Sequence, residues 1–153
     1  MAEIIDPTRL LALLRDFGPL RRILLGTAGT LQGTLSAYFR SPVTIAVTAQ
    51  TVQQETIHRA TDLACAELGV VACTAETTIH VSDSTVRELV VERRHGLGQI
   101  AVLLGVPTSF ELEQAAQDVD RFWRRYRMWG SGFEFRITET FPDHLYPDAP
   151  EPL

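Results

Sequence analysis

Residues 57–81 read IHRATDLACAELGVVACTAETTIHV, and they are the most informative part of the chain. They predict two strands joined by a tight connection at Leu68-Gly69-Val70. A hairpin centred on Gly69 would place Cys65 opposite Cys73 and His58 opposite His80.

The two cysteines and two histidines of this hairpin invite interpretation as a metal site. His58 and Cys65 are seven residues apart, so their side chains point to opposite faces of a regular strand and cannot bind one ion. We therefore favour two small buried thiols and two histidines at the rim, with no metal. Arg59 shares the face of Cys65, where it either reaches back to solvent or points into a cavity that holds an anion.

The segments around the hairpin predict helices on both sides of it and further strands. Asp6 and Pro7 form an N-cap with Pro at the first helical position, and this predicts a helix that ends at Gly18 and Pro19. The other predicted elements are an apolar stretch over 20–25, a helix over 31–39, a strand over 43–48, a helix over 82–93 and a final strand over 133–138.

Residues 110–129 fit two structures. Their apolar positions recur at helical spacing, but two strands with a turn near residues 117–120 fit as well. Residues 98–110 also resemble the front half of a helix-turn-helix. The recognition helix would then be residues 110–118, which carry three carboxylates and no Arg and would repel phosphate groups. We therefore expect no nucleic-acid partner.

Composition narrows the classes of protein further. The chain has 153 residues, 45% of them hydrophobic, and a net charge of −5, which predicts a single domain over 1–146 followed by a Pro-rich tail over 147–153. All 14 basic residues are Arg, which excludes Schiff-base, pyridoxal phosphate and P-loop chemistry because each needs a Lys amine. No apolar run of membrane-spanning length and no signal peptide is evident, so we expect a cytoplasmic protein without a membrane partner.

Three motifs in the last third of the chain carry a resemblance to a known family. They are residues 96–100 (GLGQI), 123–128 (WRRYRM) and 137–142 (ITETFP). In this order and spacing they resemble the chorismate pyruvate-lyase family, which has a Leu-Gly turn opening a helix, an Arg-Arg strand and a Thr-Glu pair in its last strand. A fainter likeness extends upstream through Arg59 to residues 29–32, so the resemblance covers residues 24–146.

The resemblance implies an α+β fold, with a single antiparallel sheet of about six strands, packed helices, and helical flaps over an internal ligand cavity. It therefore favours two strands over a helix for residues 110–129. It also implies a lyase that converts chorismate, or a related cyclic enolpyruvyl acid, to 4-hydroxybenzoate and pyruvate. The family needs no metal and no organic cofactor, and the implied partner is a small aromatic or cyclic carboxylate.

The resemblance also assigns site residues. Arg59 would hold the ring carboxylate, and Glu139 would face the ring hydroxyl at the far end of the cavity and assist proton movement. These two form the implied catalytic pair. Leu31 and Leu97 would supply backbone amide donors and cover the ring.

Each assigned residue also has a structural interpretation. Arg59 could pair with Glu76 or Asp62 on neighbouring strand positions, and the two leucines could be ordinary core. Glu139 shares the parity of the apolar residues in its strand and so points toward the core, where a carboxylate needs a partner.

Ala28, Leu31 and His95 depart from the family pattern and leave two other functions open. One is an enzyme of secondary metabolism that reuses the cavity for cyclisation or elimination on a polyketide-like substrate. The other is a small-molecule-binding module without catalysis. His95 is either a polar group of the cavity or a surface histidine. A closed, ring-sized cavity would favour the lyase, and a wide, open cleft would favour the secondary-metabolism enzyme.

Overall fold

A computed structural model describes residues 2–3, 6–29, 31–92, 95–105 and 107–148. The helices are α1 (Pro7–Leu14), α2 (Pro19–Gly26), α3 (Leu31–Phe39), α4 (Ser84–Val91) and α5 (Leu97–Leu104). The strands are β1 (Ala2–Glu3), β2 (Thr44–Gln53), β3 (Thr56–Cys65), β4 (Val70–Val81), β5 (Thr108–Asp118), β6 (Arg121–Gly130) and β7 (Phe133–Pro142), followed by a 3-10 turn over Asp143–Leu145.

All strands belong to one sheet with the order β1-β5-β6-β7-β4-β3-β2. The six long strands pair antiparallel, and the two-residue β1 pairs parallel with the start of β5. Two three-stranded meanders, β2-β3-β4 and β5-β6-β7, therefore lie side by side and join through β4 and β7. This arrangement confirms the predicted α+β fold with its single antiparallel sheet.

One face of the sheet is buried and the other is largely open. Odd-numbered residues of β3, β7 and most of β4 are buried, as are even-numbered residues of β6, while the residues between them are exposed or half-buried. Such alternation is the period-two signature of a sheet that packs against helices on one side only.

The start of α1 follows the predicted capping chemistry, and α4 has a similar cap. The Asp6 carboxylate accepts a hydrogen bond from the Thr8 amide at 2.9 Å, with Pro7 at the first helical position. At α4 the Asp83 carboxylate accepts from the amides of Thr85 and Val86 at 2.9 and 3.0 Å. Both caps satisfy amides that a helix leaves without an intrahelical partner.

The predicted register of the β3–β4 hairpin is wrong. Cys65 lies opposite Val70, not Cys73, and His58 lies opposite Thr78, not His80. The connection occupies residues 66–69, with Gly69 at its end in the left-handed region at φ 66°, so the hairpin is not centred on Gly69. A register shift between Leu63 and Ala64 moves the pairing by one more residue in the part of the hairpin next to the turn.

Residues 110–129 form strands, as the family resemblance implied and the helical spacing did not. Phe110 and Leu112 of β5 are buried on the core face, and β5 pairs with β6 along its length. The recognition helix of the helix-turn-helix interpretation is therefore a strand. Strand pairing outweighs the helical pattern here because it buries Phe110 and Leu112 on one face.

Some predicted segments fall partly outside the described residues. These are Arg93 at the end of the predicted helix over 82–93, Thr30 in the upstream motif, Val106 in the helix-turn-helix segment, and residues 149–153 of the predicted tail. Within the described ranges, no helix is long and apolar enough to cross a membrane.

The two cysteine thiols should be unreactive in the folded protein. Cys65 and Cys73 are both fully buried, and burial together with the nearby Glu139 raises the pKa of Cys73 well above its usual value. Because the thiolate is the reactive form, a disulfide-exchange reagent at pH 8 should label neither thiol in native protein and both in urea. Fast labelling of Cys73 without denaturant would contradict its placement in the core.

Candidate functional site

A cavity of about 570 Å³ lies between the buried face of the sheet and the amino ends of α3 and α5. Its floor comes from β3, β4, β6 and β7, and its roof comes from Gly29, residues 31–33, residues 95–99, and residues 102 and 103. Two helical segments thus cover a ligand-sized space, which is the arrangement that the resemblance implied.

The floor is open because its central side chains are small. Thr61 and Ala75 lie opposite each other on β3 and β4, and Thr77 lies two residues beyond Ala75 on the same inward face. Larger buried residues, Ile57 and Ile79, form the next row of the same two strands. A core of uniform large residues would pack to full density, so the three small residues leave the space above them.

Strand register places charged groups on both sides of this small-residue floor. Arg59 on β3 faces Thr77 on β4, and Ala75 on β4 faces Glu139 on β7. Arg59 and Glu139 are therefore two strands apart and offset by one inward position, a Cα separation of about 12 Å from standard strand spacings.

The roof is formed by two helix amino termini that approach each other closely. A Cβ atom added at Gly98 in the first turn of α5 would lie 2.7 Å from the Gly29 carbonyl oxygen, so only glycine fits at this position. Leu31 and Leu97 are the first residues of α3 and α5. The first amides of a helix have no intrahelical acceptor and carry partial positive charge, which favours an anion near them.

Arg59 connects the floor to the roof. Its side chain is 4% exposed, and its Nη2 donates to the Val90 carbonyl at 2.8 Å while Nη1 donates to the His95 carbonyl. Its Nε donates to Oε1 of Gln50 at 3.0 Å. These three acceptors orient the guanidinium.

A bulge in β2 brings Gln50 to Arg59. The pairing of β2 with β3 shifts between Val47 and Ala49, so one extra residue, Thr48, enters the strand. A one-residue shift reverses which side chains face inward. Gln50 therefore lies on the inner face, opposite Arg59, where regular alternation from Ile45 and Val47 would have placed Ala49.

Glu139 forms a buried ion pair at the other side of the floor. Its Oε1 lies 2.6 Å from Nε of Arg124, and the side chains are 7% and 1% exposed. Arg124 Nη1 also donates to the carbonyl of Leu25, at 2.9 Å, and to that of Thr27. These carbonyls are at the carboxyl end of α2, where the helix dipole favours a cation.

Tyr126 completes this cluster. Its hydroxyl donates to Oε2 of Glu139 at 3.2 Å, and the guanidinium of Arg124 lies 4.5 Å from the centre of its ring. Burial and the charge of Glu139 raise the pKa of Tyr126 well above its usual value, so the phenol stays protonated and remains a donor. Burial lowers the pKa of Arg124, but the charge and hydrogen bond of Glu139 together with Tyr126 and Cys73 raise it above its usual value.

The structure brings together all four residues that the sequence assigned to the site. Arg59, Glu139, Leu31 and Leu97 all line the one cavity. The alternative partners of Arg59 lie elsewhere: Asp62 and Glu76 fall between buried positions of their strands and so face the opposite side of the sheet.

His95 lines the cavity and is half-buried, so it belongs to the site and not to the open surface. Two further residues, Arg124 and Tyr126, were missed by the sequence assignment. The signal for them is parity, since both share the even-numbered face of β6 with the buried Phe122 and Met128. The motif WRRYRM obscured this signal because the inward Arg124 is followed by Arg125 and Arg127, which face the other side of the sheet.

Three charged side chains line the cavity among the described residues, namely Arg59, Arg124 and Glu139. Within the same described residues, no three His, Cys, Asp or Glu side chains are grouped closely enough to hold a metal ion.

We find no protein-family model and no curated protein that matches the sequence. The resemblance to the chorismate pyruvate-lyase family therefore remains a hypothesis that depends on the quoted motifs and on the chemistry of the cavity.

The Arg124–Glu139 pair should be essential for stability. Removing one member of a buried pair leaves the other charge uncompensated, so Arg124→Met should lower the free energy of unfolding by about 3–5 kcal/mol. Arg125→Met, on the exposed face of the same strand, should cost at most about 0.5 kcal/mol. Urea denaturation of both variants measures the difference, and equal losses would show that Arg124 has no special role.

Proposed function

We propose that this protein is a cofactor-independent lyase that converts chorismate, or a closely related cyclic enolpyruvyl acid, to 4-hydroxybenzoate and pyruvate. The observation that carries the proposal is the placement of Arg59 and Glu139 at two sides of one small-residue floor. A ring with a carboxylate at one end and a hydroxyl at the other has groups that match both.

The carboxylate of the ring is assigned to the Arg59 side. A guanidinium binds a carboxylate through charge-assisted hydrogen bonds, and its planar fork suits both oxygens. The first amides of α3 and α5, at Leu31 and Leu97, lie on the same cavity and add donors of partial positive charge.

The hydroxyl of the ring is assigned to Glu139. A carboxylate has acceptor capacity beyond the bonds from Arg124 and Tyr126, so it can also accept from a ligand hydroxyl. Arg124 and Tyr126 hold one oxygen each, so the carboxylate keeps one orientation. Pre-organisation of this kind is what allows a polar group to act on a substrate without rearranging first.

The proposed reaction is driven by the substrate itself, so the protein needs to supply little chemistry. The enolpyruvyl ether bond breaks, a proton leaves the neighbouring ring carbon, and the ring becomes aromatic, which drives the reaction forward. The protein binds and orients the substrate and stabilises the charge that develops on the departing group. This chemistry suits a chain without Lys, because no covalent amine intermediate is involved.

The size of the cavity favours a second candidate, the secondary-metabolism enzyme that acts on a polyketide-like substrate. A volume of about 570 Å³ lies within the range of about 300–1,000 Å³ that accommodates drug-sized molecules and exceeds the needs of one ring. Val102 and Leu103 line the cavity while 80% and 58% exposed, so its mouth presents apolar surface to a larger ligand.

Incubation of the protein with chorismate should release pyruvate and 4-hydroxybenzoate in equal amounts. Glu139→Gln should reduce turnover at least about 100-fold because the amide is a weaker acceptor for the ring hydroxyl and for a proton, and its melting temperature separates this loss from the destabilisation caused by the unpaired Arg124. Glu134→Gln, on the outer face of the same strand, is the matched control and should keep full turnover. Chromatography of the product and a coupled pyruvate assay give the two readouts.

The outcomes separate the candidate functions. Absence of product together with an increase in melting temperature on adding 4-hydroxybenzoate would indicate a binding module without catalysis. Absence of both effects would reject the ring ligand and favour the larger substrate.

A larger side chain on the cavity floor should weaken ligand binding without unfolding the protein. Ala75→Leu adds three carbons into the open space, so it should weaken 4-hydroxybenzoate binding at least about tenfold while changing stability by less than about 1 kcal/mol. Ala60→Leu, on the outer face of β3, should leave binding unchanged. Calorimetric affinities and melting temperatures test both, and undiminished binding in Ala75→Leu would place the ligand elsewhere.

A further inference from the structure

The outer face of the sheet, opposite the cavity, has two halves that differ in the size of their side chains. The half formed by β2, β3 and β4 presents mainly alanines and threonines, among them Ala46, Ala49, Thr51, Ala60, Thr74 and Thr78. In the other half, β6 presents large side chains only, namely Arg121, Trp123, Arg125, Arg127 and Trp129. The first half of the face is therefore low and the second is raised.

The two halves also carry unpaired charges of opposite sign. Asp62 on β3 and Glu76 on β4 form no ion pair with any residue that the structure describes. Arg125 on β6 likewise has no acidic partner among these residues. Its Nε lies 3.5 Å from Oγ1 of Thr138, and its guanidinium lies 5.7 Å from the centre of the Trp123 ring.

The neighbouring arginines of this face are paired within the chain. Nη1 of Arg127 lies 3.8 Å from Oε2 of Glu134. Nε of Arg136 lies 2.8 Å from Oε1 of Glu134, and its Nη1 lies 3.6 Å from Oε2 of Glu113. The face therefore lacks the excess of positive charge that binding to a nucleic acid requires. A matching partner needs a raised basic half and a low acidic half, and a second copy of the chain has both.

A two-fold axis that runs parallel to the strands, between β4 and β7, would bring these halves together. Ala60, Glu76, Thr138 and Arg125 form one row across β3, β4, β7 and β6. The axis crosses this row between Glu76 and Thr138, so Arg125 of the second copy would lie over the small Ala60. Glu76 is next to Ala60 in the row, and Asp62 lies on the same outer face one row away. Symmetry makes each of these contacts twice.

The outer face is also large enough for a stable dimer. The six long strands have 10 to 12 residues each. At about 3.3 Å per residue and about 4.8 Å between strands, they form a face of about 800 Å². A specific protein–protein interface of standard size buries about 800 Å² on each partner.

We propose that the outer face of the sheet is the interface of a symmetric homodimer, in which Arg125 of each copy lies between Asp62 and Glu76 of the other. The inference does not depend on the proposed lyase, because the cavity lies on the other side of the sheet. Each copy keeps its own cavity in this dimer.

Sedimentation velocity over a range of protein concentrations tests the dimer. The wild type should sediment with twice the mass of the chain. Glu76→Arg and Arg125→Glu each place like charges at both contacts, so each should weaken dimerisation at least about 100-fold. Glu92→Arg is the matched control, because Glu92 is exposed at the end of α4 on the cavity side of the sheet, and it should leave the dimer intact.

A mixture of the two variants provides the sharpest result. When Glu76→Arg and Arg125→Glu are mixed in equal amounts, the two substituted positions meet at one contact and the native pair meets at the other. Both contacts then join opposite charges. The mixture should therefore sediment as a heterodimer, although each variant alone is a monomer. A misfolded variant could not produce this recovery.

The core lies on the cavity side of the sheet, so each chain should fold alone and the dilute variants should melt at the wild-type temperature. A wild type that stays monomeric at every concentration, a dimer that survives both single substitutions, or a mixture that stays monomeric would overturn the inference. Chorismate turnover is measured in parallel. A dimer that releases no pyruvate rejects the lyase alone, and a monomer that releases pyruvate rejects the dimer alone.

Discussion

The buried pair of Arg124 and Glu139 ties the sheet to the segment that precedes α3. Both charges lose their hydration on folding, and their mutual contact, the bond from Tyr126 and the carbonyls at the end of α2 compensate for that loss. The carboxyl end of α2 must therefore stay above β6 so that its carbonyls can accept hydrogen bonds from Arg124. The amino end of α3, which roofs the cavity, is positioned as a consequence.

Arg59 plays the corresponding part on the other side of the floor. It fastens the segment between α4 and α5 through the carbonyls of Val90 and His95. Each positive charge on the cavity wall thus holds one roof segment and also faces the ligand space. Arg59 and Arg124 therefore both stabilise the fold and line the ligand space, and the small residues between them keep that space open.

The sequence allowed strands β2, β3, β4 and β7, the cap of α1, the inward direction of Glu139 and the shared face of Arg59 and Cys65 to be predicted, because period-two alternation and capping chemistry are local. The register of the β3–β4 hairpin could not be predicted, because it depends on the length of a turn and on a shift within β3 that alternation does not encode. Arg124 went unassigned because its contribution depends on pairing with Glu139 on a neighbouring strand. The choice of strands for residues 110–129 came from the family resemblance, not from periodicity.

The bulge at Thr48 has a consequence for how the chain tolerates changes in length. Edge strands usually accept the loss or gain of a residue more easily than central strands, because little packs against them. In β2, deletion of Thr48 at the bulge would restore regular alternation and leave Gln50 inward, because Gln50 would then lie two positions after Val47 and still face Arg59. The outermost long strand of the sheet can therefore lose its extra residue without taking from Arg59 the acceptor of its Nε.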